Sequence, residues 1–176
     1  RLDNGGEFTS KLFQQYCDEN GIKIQFSTLQ TPQQNRVVEI KNRTVQEMGG
    51  TMLRDSKLDE KLWVQAIETA VFIINRSLLR NNCNKTPYEL WKGKPANVKY
   101  FRIFGSKCYI KREDQNLGKF ESRVDEGIFV GYSCKRKAYK CYNLRWKHIV
   151  ESINVTFDED GVLMNNDEDL ESLKLE

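Results

Sequence analysis

The sequence predicts an α/β chain: a mixed helix and strand region, a helical connector and then a small antiparallel β-barrel. Apolar residues recur at helical spacing through most of the chain before residue 100, whereas beyond it they alternate with a period of two. At 176 residues the chain is long enough for one core and a small second domain. We therefore expect domains over residues 1–57, 58–98 and 99–160, followed by an acidic linker or tail over residues 161–176.

The first part of the chain contains two helical patterns separated by an alternating segment. Apolar residues at helical spacing predict an amphipathic helix over residues 7–20, which an Asn-Gly pair ends. Residues 22–27 alternate strictly between apolar and polar and therefore predict a strand. A polar, proline-marked loop then leads into a second helix over residues 35–53, with Asn35 as its N-cap.

The connector begins with the strongest helical pattern, over residues 59–78. Much of this helix is apolar, and the residues expected to face the core share one stripe: Trp63, Ile67, Ala70, Val71 and Ile74. A short helix follows, with Thr86 as its N-cap and Pro87 at its first position. Gly93 and Pro95 then mark a boundary.

Period-two alternation predicts the strands of the last domain. We expect them over residues 107–111, 127–132, 139–144 and 147–157. Closely spaced strands joined by basic turns are typical of a small antiparallel barrel.

Charge is divided unevenly along the chain. Residues 1–150 contain 27 Lys and Arg against 16 Asp and Glu, which leaves +11, whereas residues 151–176 contain one Lys against nine acids, which leaves −8. A basic body suits a polyanionic partner, because binding releases the counterions that the polyanion holds. An ordinary solvated surface is the alternative interpretation.

Cysteine and histidine content limits the class of protein. The five cysteines are odd in number and form no C-x-x-C pair: Cys17, Cys83, Cys108, Cys134 and Cys141. We therefore expect reduced thiols in an intracellular protein. His148 is the only histidine, so the sequence contains no set of ligands for a His/Cys zinc cluster. No apolar run has the length needed to span a bilayer, so no membrane partner is expected.

Asp3 and Glu39 are the pair of residues that carries the most chemical information. Asp3 precedes a turn that contains Gly5 and Gly6, and Glu39 lies near the start of the second helix. Two carboxylates brought together in the fold suit a hard divalent cation such as Mg²⁺, which takes oxygen ligands and leaves positions for phosphate. We expect the two side chains to approach each other.

The second helix separates apolar from polar residues at about 100° per residue. The apolar arc comprises Val37, Val38, Val45, Met48 and Met52, and the opposite side gathers Glu39, Asn42, Arg43 and Gln46. Taken alone, Glu39 also fits a solvated helix face. Arg43 likewise fits either a nucleic-acid contact or a helical ion pair with Glu39 or Glu47.

Several short sequence motifs together resemble those of the integrases of Copia-type LTR retrotransposons. These motifs are Asp3-Asn4-Gly5-Gly6, the segment 31–39 that ends at Glu39, Thr86-Pro87-Tyr88-Glu89-Leu90-Trp91, Phe104-Gly105-Ser106, Ile128-Phe129-Val130-Gly131-Tyr132 and Val155-Thr156-Phe157-Asp158-Glu159. The resemblance covers residues 1 to about 160, and the combination is more specific than any single motif. It implies an incomplete RNase H-like core, a helical connector and an SH3-like β-barrel.

The resemblance also implies a chemistry. Asp3 and Glu39 would be the second Asp and the Glu of an Asp, Asp, Glu triad that holds two Mg²⁺ or Mn²⁺ ions for DNA 3′-end processing and strand transfer. The residues that would contact nucleic acid on this side are Gln34, Asn35, Asn42, Arg43 and Gln46. DNA, a homo-oligomeric integrase, and a location in the nucleus and in cytoplasmic virus-like particles are the implied partners and compartments.

The chain departs from the family pattern in ways that bear on activity. Arg36 stands where the family has Gly, Ile40 where it has Arg, and Gly49-Gly50 is expected to interrupt the helix near its end. The first Asp of the triad is expected upstream, so we expect a fragment that lacks strand-transfer activity by itself. The alternative is a remnant that serves only as a nucleic-acid-binding or protein-interaction module.

A basic turn in the last domain is a second candidate site. Lys135, Arg136 and Lys137 follow Tyr132 and precede Tyr139 and Lys140. Positive charge beside aromatic surfaces is typical of nucleic-acid binding, although such side chains are also common on the solvated turns of small barrels. Both interpretations remain open on sequence grounds.

Overall fold

The computed structural model describes residues 2, 5–27, 36–80, 83–112 and 121–159. The chain divides into two compact units, Arg1–Gln46 and Glu47–Glu176, which we call the first and the second unit. Asp3, Gln34 and Asn35 lie outside the described residues, as does the predicted acidic tail. The predicted domain boundaries stay a prediction.

Most of the described part of the first unit is helical. A 3₁₀ turn at Gly6–Thr9 precedes helix α1, Lys11–Glu19. Ser10 separates the two because its hydroxyl caps α1, accepting a hydrogen bond from the Phe13 N–H at 3.3 Å. The helix ends at Glu19 with Asn20 as its C-cap, and the left-handed φ of 64° at Gly21 turns the chain away. The single helix predicted over residues 7–20 is therefore divided in two.

The strand predicted over residues 22–27 is wrong for the described residues. Only an isolated bridge between Leu2 and Phe26 forms there, with the Leu2 N–H donating to the Gln25 carbonyl at 3.0 Å. A strand needs a ladder of paired residues and an apolar face to bury. Ile22 is 48% exposed, so the alternation in this segment does not correspond to a buried face.

Helix α2, Arg36–Ser56, belongs to both units and is continuous. The interruption predicted at Gly49-Gly50 is therefore wrong. Gly49 is buried, and a Cβ at its position would lie 2.9 Å from Ile67 Cδ1. Glycine has a low helix propensity, but at this position it leaves room for the Ile67 side chain, which a Cβ would obstruct.

The second unit continues with a 3₁₀ turn at Glu60–Leu62 and helix α3, Trp63–Ser77. The predicted apolar stripe of α3 is partly wrong, because Trp63 is 41% exposed. The residues of this region that are buried are mostly small: Leu62, Ala66, Thr69 and Ala70. Small side chains let a helix approach its neighbour closely, and a pattern based on large apolar residues misses such a face.

Helix α4, Pro87–Lys92, forms as predicted. The Thr86 hydroxyl accepts from the Glu89 N–H at 3.2 Å, and the Glu89 carboxylate accepts from the Thr86 N–H at 2.8 Å. This reciprocal pair is a capping box, and Gly93 ends the helix in the left-handed conformation.

Five antiparallel strands form the sheet of the second unit. They are β1 Lys107–Lys111, β2 Val124–Tyr132, β3 Tyr139–Asn143, β4 His148–Ser152 and β5 Val155–Asp158. Their order across the sheet is β4-β3-β2-β1-β5. The strand predicted over residues 147–157 is therefore wrong as a single element, because it is divided between the two edges of the sheet.

The short connection between β4 and β5 shows how strongly the sheet curls. Ser152 lies on one edge strand and Val155 on the other, and three peptide units join them. Three trans peptide units span at most about 11 Å. The edges must approach each other at this point, which gives a barrel-like sheet. Among the described strands the sheet is not closed by hydrogen bonds, because β4 and β5 form its two edges.

One core lies between the helices and the sheet. Its buried members come from α2, the connection and 3₁₀ turn that follow it, α3, the loop before β1 and strands β2 and β3: Leu53, Leu58, Leu62, Ala66, Phe104, Ile128, Val130 and Tyr142. Helix α3 meets β2 at Gly131, where the strand register shifts and a Cβ would lie 2.6 Å from Thr69 Oγ1. The Thr69 hydroxyl donates to the Val130 carbonyl at 3.3 Å.

Candidate nucleic-acid interface

The first candidate surface is the polar side of α2. Glu39, Asn42, Arg43 and Gln46 are all exposed. Because they are spaced three or four residues apart, they lie on one side of the helix. The structure thus places these four predicted residues together, whereas the approach of Asp3 to Glu39 stays a prediction.

Glu39 and Arg43 are one helical turn apart without forming an ion pair. Within the described ranges, Arg43 has no salt bridge to Glu39 or to Glu47. Glu39 lies in the first turn of α2, where a negative charge interacts favourably with the helix dipole. A carboxylate and a guanidinium are therefore both presented to solvent.

Few metal donors stand together among the described residues. Among the residues the structure describes, no three His, Cys, Asp or Glu side chains cluster in a way that would hold a metal ion. The described residues contribute Glu39 alone to the predicted pair. An exposed carboxylate without a salt-bridge partner suits a hard divalent cation as one oxygen ligand.

The second candidate surface is the turn between β2 and β3, residues 133–138. The side chains of Lys135, Arg136 and Lys137 are exposed. The buried Ser133 hydroxyl accepts hydrogen bonds from the backbone N–H groups of Lys135 at 3.3 Å and Arg136 at 3.2 Å. The Ser133 N–H donates to the Ala138 carbonyl at 2.9 Å. A fixed backbone thus presents three cations to solvent.

The aromatic residues predicted to join this turn are instead structural. Tyr132 is buried and stacks on Phe72 with ring centroids 4.3 Å apart. Burial raises the pKa of Tyr132 to about 12, although the hydrogen bond from the Arg102 N–H partly offsets this. The Tyr139 hydroxyl donates to the Tyr100 carbonyl. Nucleic-acid stacking on Tyr132 or Tyr139 is therefore not supported.

Lys140 is also removed from the predicted basic surface. Its ammonium donates to the Glu68 carboxylate of α3 at 2.7 Å, and this hydrogen bond raises the pKa of Lys140 above its ordinary value. The pair joins the sheet to α3. The charge that remains exposed at the turn is that of residues 135–137.

Sequence reasoning missed one cluster of charged and aromatic residues. The cluster comprises Arg112, which directly follows β1, Asp125 of β2, and Arg145 and Trp146 of the β3–β4 turn, and strand pairing brings them together. Their separation in sequence hides the cluster. The adjacent Arg145 and Trp146 in a turn were the one local signal that could have indicated it.

The described helices also bear on membrane association. Within the described ranges, none of them has both the length and the apolar character that are needed to cross a bilayer.

Comparison with known proteins identifies the family. Residues 106–171 match the family model described as the retroviral polymerase SH3-like domain, which includes all five strands. The chain is 33% identical over 162 residues to the retrovirus-related Pol polyprotein from transposon TNT 1-94 of Nicotiana tabacum, covering 92% of this chain and 12% of the relative. It is 32% identical over 157 residues to that from transposon RE2 of Arabidopsis thaliana, covering 89% of this chain and 11% of the relative.

A solved structure of a simian T-cell lymphotropic virus intasome in complex with PP2A regulatory subunit B56 gamma is also similar. The identity is 18% and the TM-score 0.41, over 86% of this chain and 56% of that chain, which is too low to support an argument. The polyprotein relatives and the family model decide the assignment. The chain belongs to the retrovirus-related Pol polyproteins of Copia-type retrotransposons and corresponds to a segment of them that includes the SH3-like domain.

Proposed function

We propose that this chain is part of the integrase of a retrotransposon, with a portion of an RNase H-like core followed by an SH3-like domain that binds DNA. The observation that carries the proposal is the exposed side of α2, where a carboxylate, a guanidinium and two amides stand together. Membership in the Pol polyproteins supports it, because such elements must join their DNA to a target.

In this proposal each of the four exposed polar residues on this side of α2 has a role set by its chemistry. Glu39, with Asp3, holds Mg²⁺, which supplies Lewis-acid activation of the phosphodiester group when it is bound. Arg43 neutralises phosphate charge, since a guanidinium can donate two parallel hydrogen bonds to phosphate oxygens. Asn42 and Gln46 donate amide hydrogen bonds to the sugar-phosphate backbone and so position it.

Mn²⁺ binding tests the metal site without requiring catalysis. We expect Mn²⁺ to broaden the amide NMR signals around residues 3 and 39 before those of other residues, because the paramagnetic ion lies beside both carboxylates. Glu39→Gln should weaken this Mn²⁺ binding by at least about tenfold, because it replaces a charged carboxylate ligand by a neutral amide.

Glu47→Gln is the matched control, since Glu47 is exposed on the same helix two turns farther on. It should leave the broadening unchanged. Broadening that is the same in the parent and in Glu39→Gln, or that is absent around both residues 3 and 39, would contradict the metal site.

A module that binds DNA without catalysis is the second candidate function. The exposed Lys135, Arg136 and Lys137 on their fixed turn favour it, because phosphate neutralisation needs no metal. The two functions are distinguished by their outcomes: metal binding at Glu39 together with DNA binding supports the integrase, and DNA binding alone supports the module.

The salt dependence of duplex binding measures the contribution of the turn. Replacement of residues 135–137 by Gln should reduce the magnitude of the slope of log affinity against log salt concentration by up to about 2.7, since each phosphate contact contributes about 0.9 to that slope. Titration of a fluorescent duplex at several salt concentrations provides the slope. Binding by the parent should be largely independent of DNA sequence.

A charge-matched control is available in the same unit. Lys92, Lys94 and Lys99 are exposed, and replacing them by Gln removes the same total charge. This control should keep the parent slope. Equal slopes in the parent and the 135–137 variant, or no duplex binding at low salt, would assign the turn to ordinary solvated surface.

A further inference from the structure

A second charged surface lies at the other end of β3, around the β3–β4 turn at residues 144–147. It forms an open groove of about 400 Å³ in the second unit. The side chains that give the groove its chemistry come from the end of β1 and the residue after it, the β3–β4 turn and β4: Lys111, Arg112, Arg145, Trp146, His148 and Glu151. The basic turn at residues 135–137 lies at the opposite end of β3 and contributes nothing to this lining.

A buried carboxylate holds the two arginines of the groove. Asp125 is 6% exposed, and its Oδ1 accepts a hydrogen bond from the Nε of Arg112. The same oxygen forms a salt bridge with Arg145, whose Nε lies 3.0 Å away. Its Oδ2 accepts from the Asn143 amide at 3.0 Å. A guanidinium bound through Nε is fixed in orientation, and it carries further N–H groups on its Nη atoms.

The same asparagine fixes the turn that carries the aromatic residue. Asn143 Oδ1 accepts from the backbone N–H groups of Arg145 at 2.9 Å and Trp146 at 3.0 Å. This is an Asx turn, in which a side chain replaces a backbone acceptor. The positions of the second arginine and of the tryptophan are therefore set by the buried network.

Trp146 combines an exposed ring with adjacent positive charge. Its side chain is 57% exposed, although indole is large and apolar and is usually covered in folded proteins. The Arg145 guanidinium lies 4.5 Å from the ring centroid. An exposed indole beside a guanidinium group matches what unpaired nucleotides require, because every base has a face that can stack.

We propose that this groove binds an unpaired nucleotide of a single-stranded nucleic acid, with the base stacked on Trp146 and the adjoining phosphate held by Arg112 and Arg145. Duplex DNA is a poorer ligand for the groove, because its base faces are covered by stacking on one another. The site goes beyond the proposed function, since duplex binding by residues 135–137 needs no base contact. Either site can fail without the other.

Substitution of Trp146 tests the stacking directly in the 176-residue chain. The probe is a short fluorescein-labelled oligothymidylate, compared with a blunt duplex of the same length. Trp146→Leu should weaken oligothymidylate binding by about tenfold, because stacking on an aromatic residue is lost. Trp146→Phe keeps an aromatic ring and should bind close to the parent, and blunt-duplex affinity should change less than about twofold in both variants.

Trp91→Leu is the matched control, because Trp91 is 83% exposed on α4 and does not line the groove. It should leave oligothymidylate affinity unchanged. Arg145→Gln should reduce the salt slope for oligothymidylate by about 0.7, the contribution of one phosphate contact to a single strand. Far-UV circular dichroism confirms that each variant is folded.

The groove proposal is overturned if the Leu and Phe variants of Trp146 bind oligothymidylate equally, or if Trp91→Leu weakens binding as much as Trp146→Leu. Replacement of residues 135–137 could leave the salt slope for duplex binding unchanged while Trp146→Leu still weakens oligothymidylate binding. That result would contradict the duplex-binding function and leave the groove proposal intact. A loss of duplex affinity equal to the loss for oligothymidylate in Trp146→Leu would show that the groove does not select unpaired bases.

Discussion

Gly105→Ala is expected to lower the free energy of unfolding of the second unit by about 2–5 kcal/mol. Gly105 has a φ of 84°, which L-residues rarely adopt, and a Cβ there would overlap the Ser56 Cβ. The left-handed conformation costs about 1–2 kcal/mol for a residue with a Cβ, and overpacking costs about 1–3 kcal/mol. Urea denaturation followed by far-UV circular dichroism measures the change.

Two further variants separate conformation from contact at this position. Gly93 has a φ of 68° but no atom within 4 Å of an added Cβ, so Gly93→Ala should cost only about 1–2 kcal/mol. Ser56→Gly removes the side chain that the new Cβ would meet. Combining it with Gly105→Ala should therefore restore the part of the free energy of unfolding that is lost to overpacking. Equal losses for Gly105→Ala and Gly93→Ala would show that the close approach to Ser56 does not matter.

Asp125→Asn is expected to lower the free energy of unfolding by about 3 kcal/mol near neutral pH, because two arginines lose their buried partner. Burial alone would raise the pKa of Asp125, but the hydrogen bonds from Asn143 and Arg112, together with the charges of Arg112 and Arg145, outweigh it and lower the pKa below its ordinary value. The carboxylate therefore stabilises the folded state relative to the unfolded one.

The direction of this shift fixes the pH dependence. A group with a depressed folded pKa contributes stability above its unfolded pKa, about 4 for Asp, and loses it as the pH falls through the folded pKa. The difference in the free energy of unfolding between the parent and Asp125→Asn should thus be constant from about pH 5 to neutrality and should shrink at lower pH. Urea denaturation at several pH values measures it.

Glu126→Gln is the matched control for Asp125. Glu126 is the next residue of β2, and its exposed carboxylate pairs with Lys107 at 3.1 Å. An exposed pair contributes only about 0–1 kcal/mol, so this substitution should have a small effect. A loss as large as that of Asp125→Asn would show that burial of the carboxylate is not what makes it important.

Local chemistry made some elements predictable and long-range pairing decided the others. Helix α4 followed from Thr86 and Pro87 alone, because a capping box is complete within a few residues. The strand β1 was predicted with its observed bounds, Lys107–Lys111. In contrast, the alternation over residues 147–157 gives no indication that the chain changes edges, since period two continues on both sides of the turn.

The candidate sites show the same division. The polar side of α2 could be predicted because helical periodicity places Glu39 and Arg43 together in any straight helix. The groove at Trp146 could not, because Arg112, Asp125 and Arg145 meet only through the register of three strands. Gly49 was misjudged for a related reason: its low helix propensity is visible in sequence, whereas its contact with Ile67 is not.

The placement of β5 beside β1 has a consequence for synthesis. Within a polyprotein the ribosome delivers β1 long before β5, so the edge of β1 waits for a partner until residues 155–158 have left the exit tunnel. An unpaired strand edge invites pairing with other chains, and contacts between residues distant in sequence form slowly. The nascent domain therefore passes through an interval in which it is open to misassembly, and emergence of β5 from the exit tunnel ends that interval.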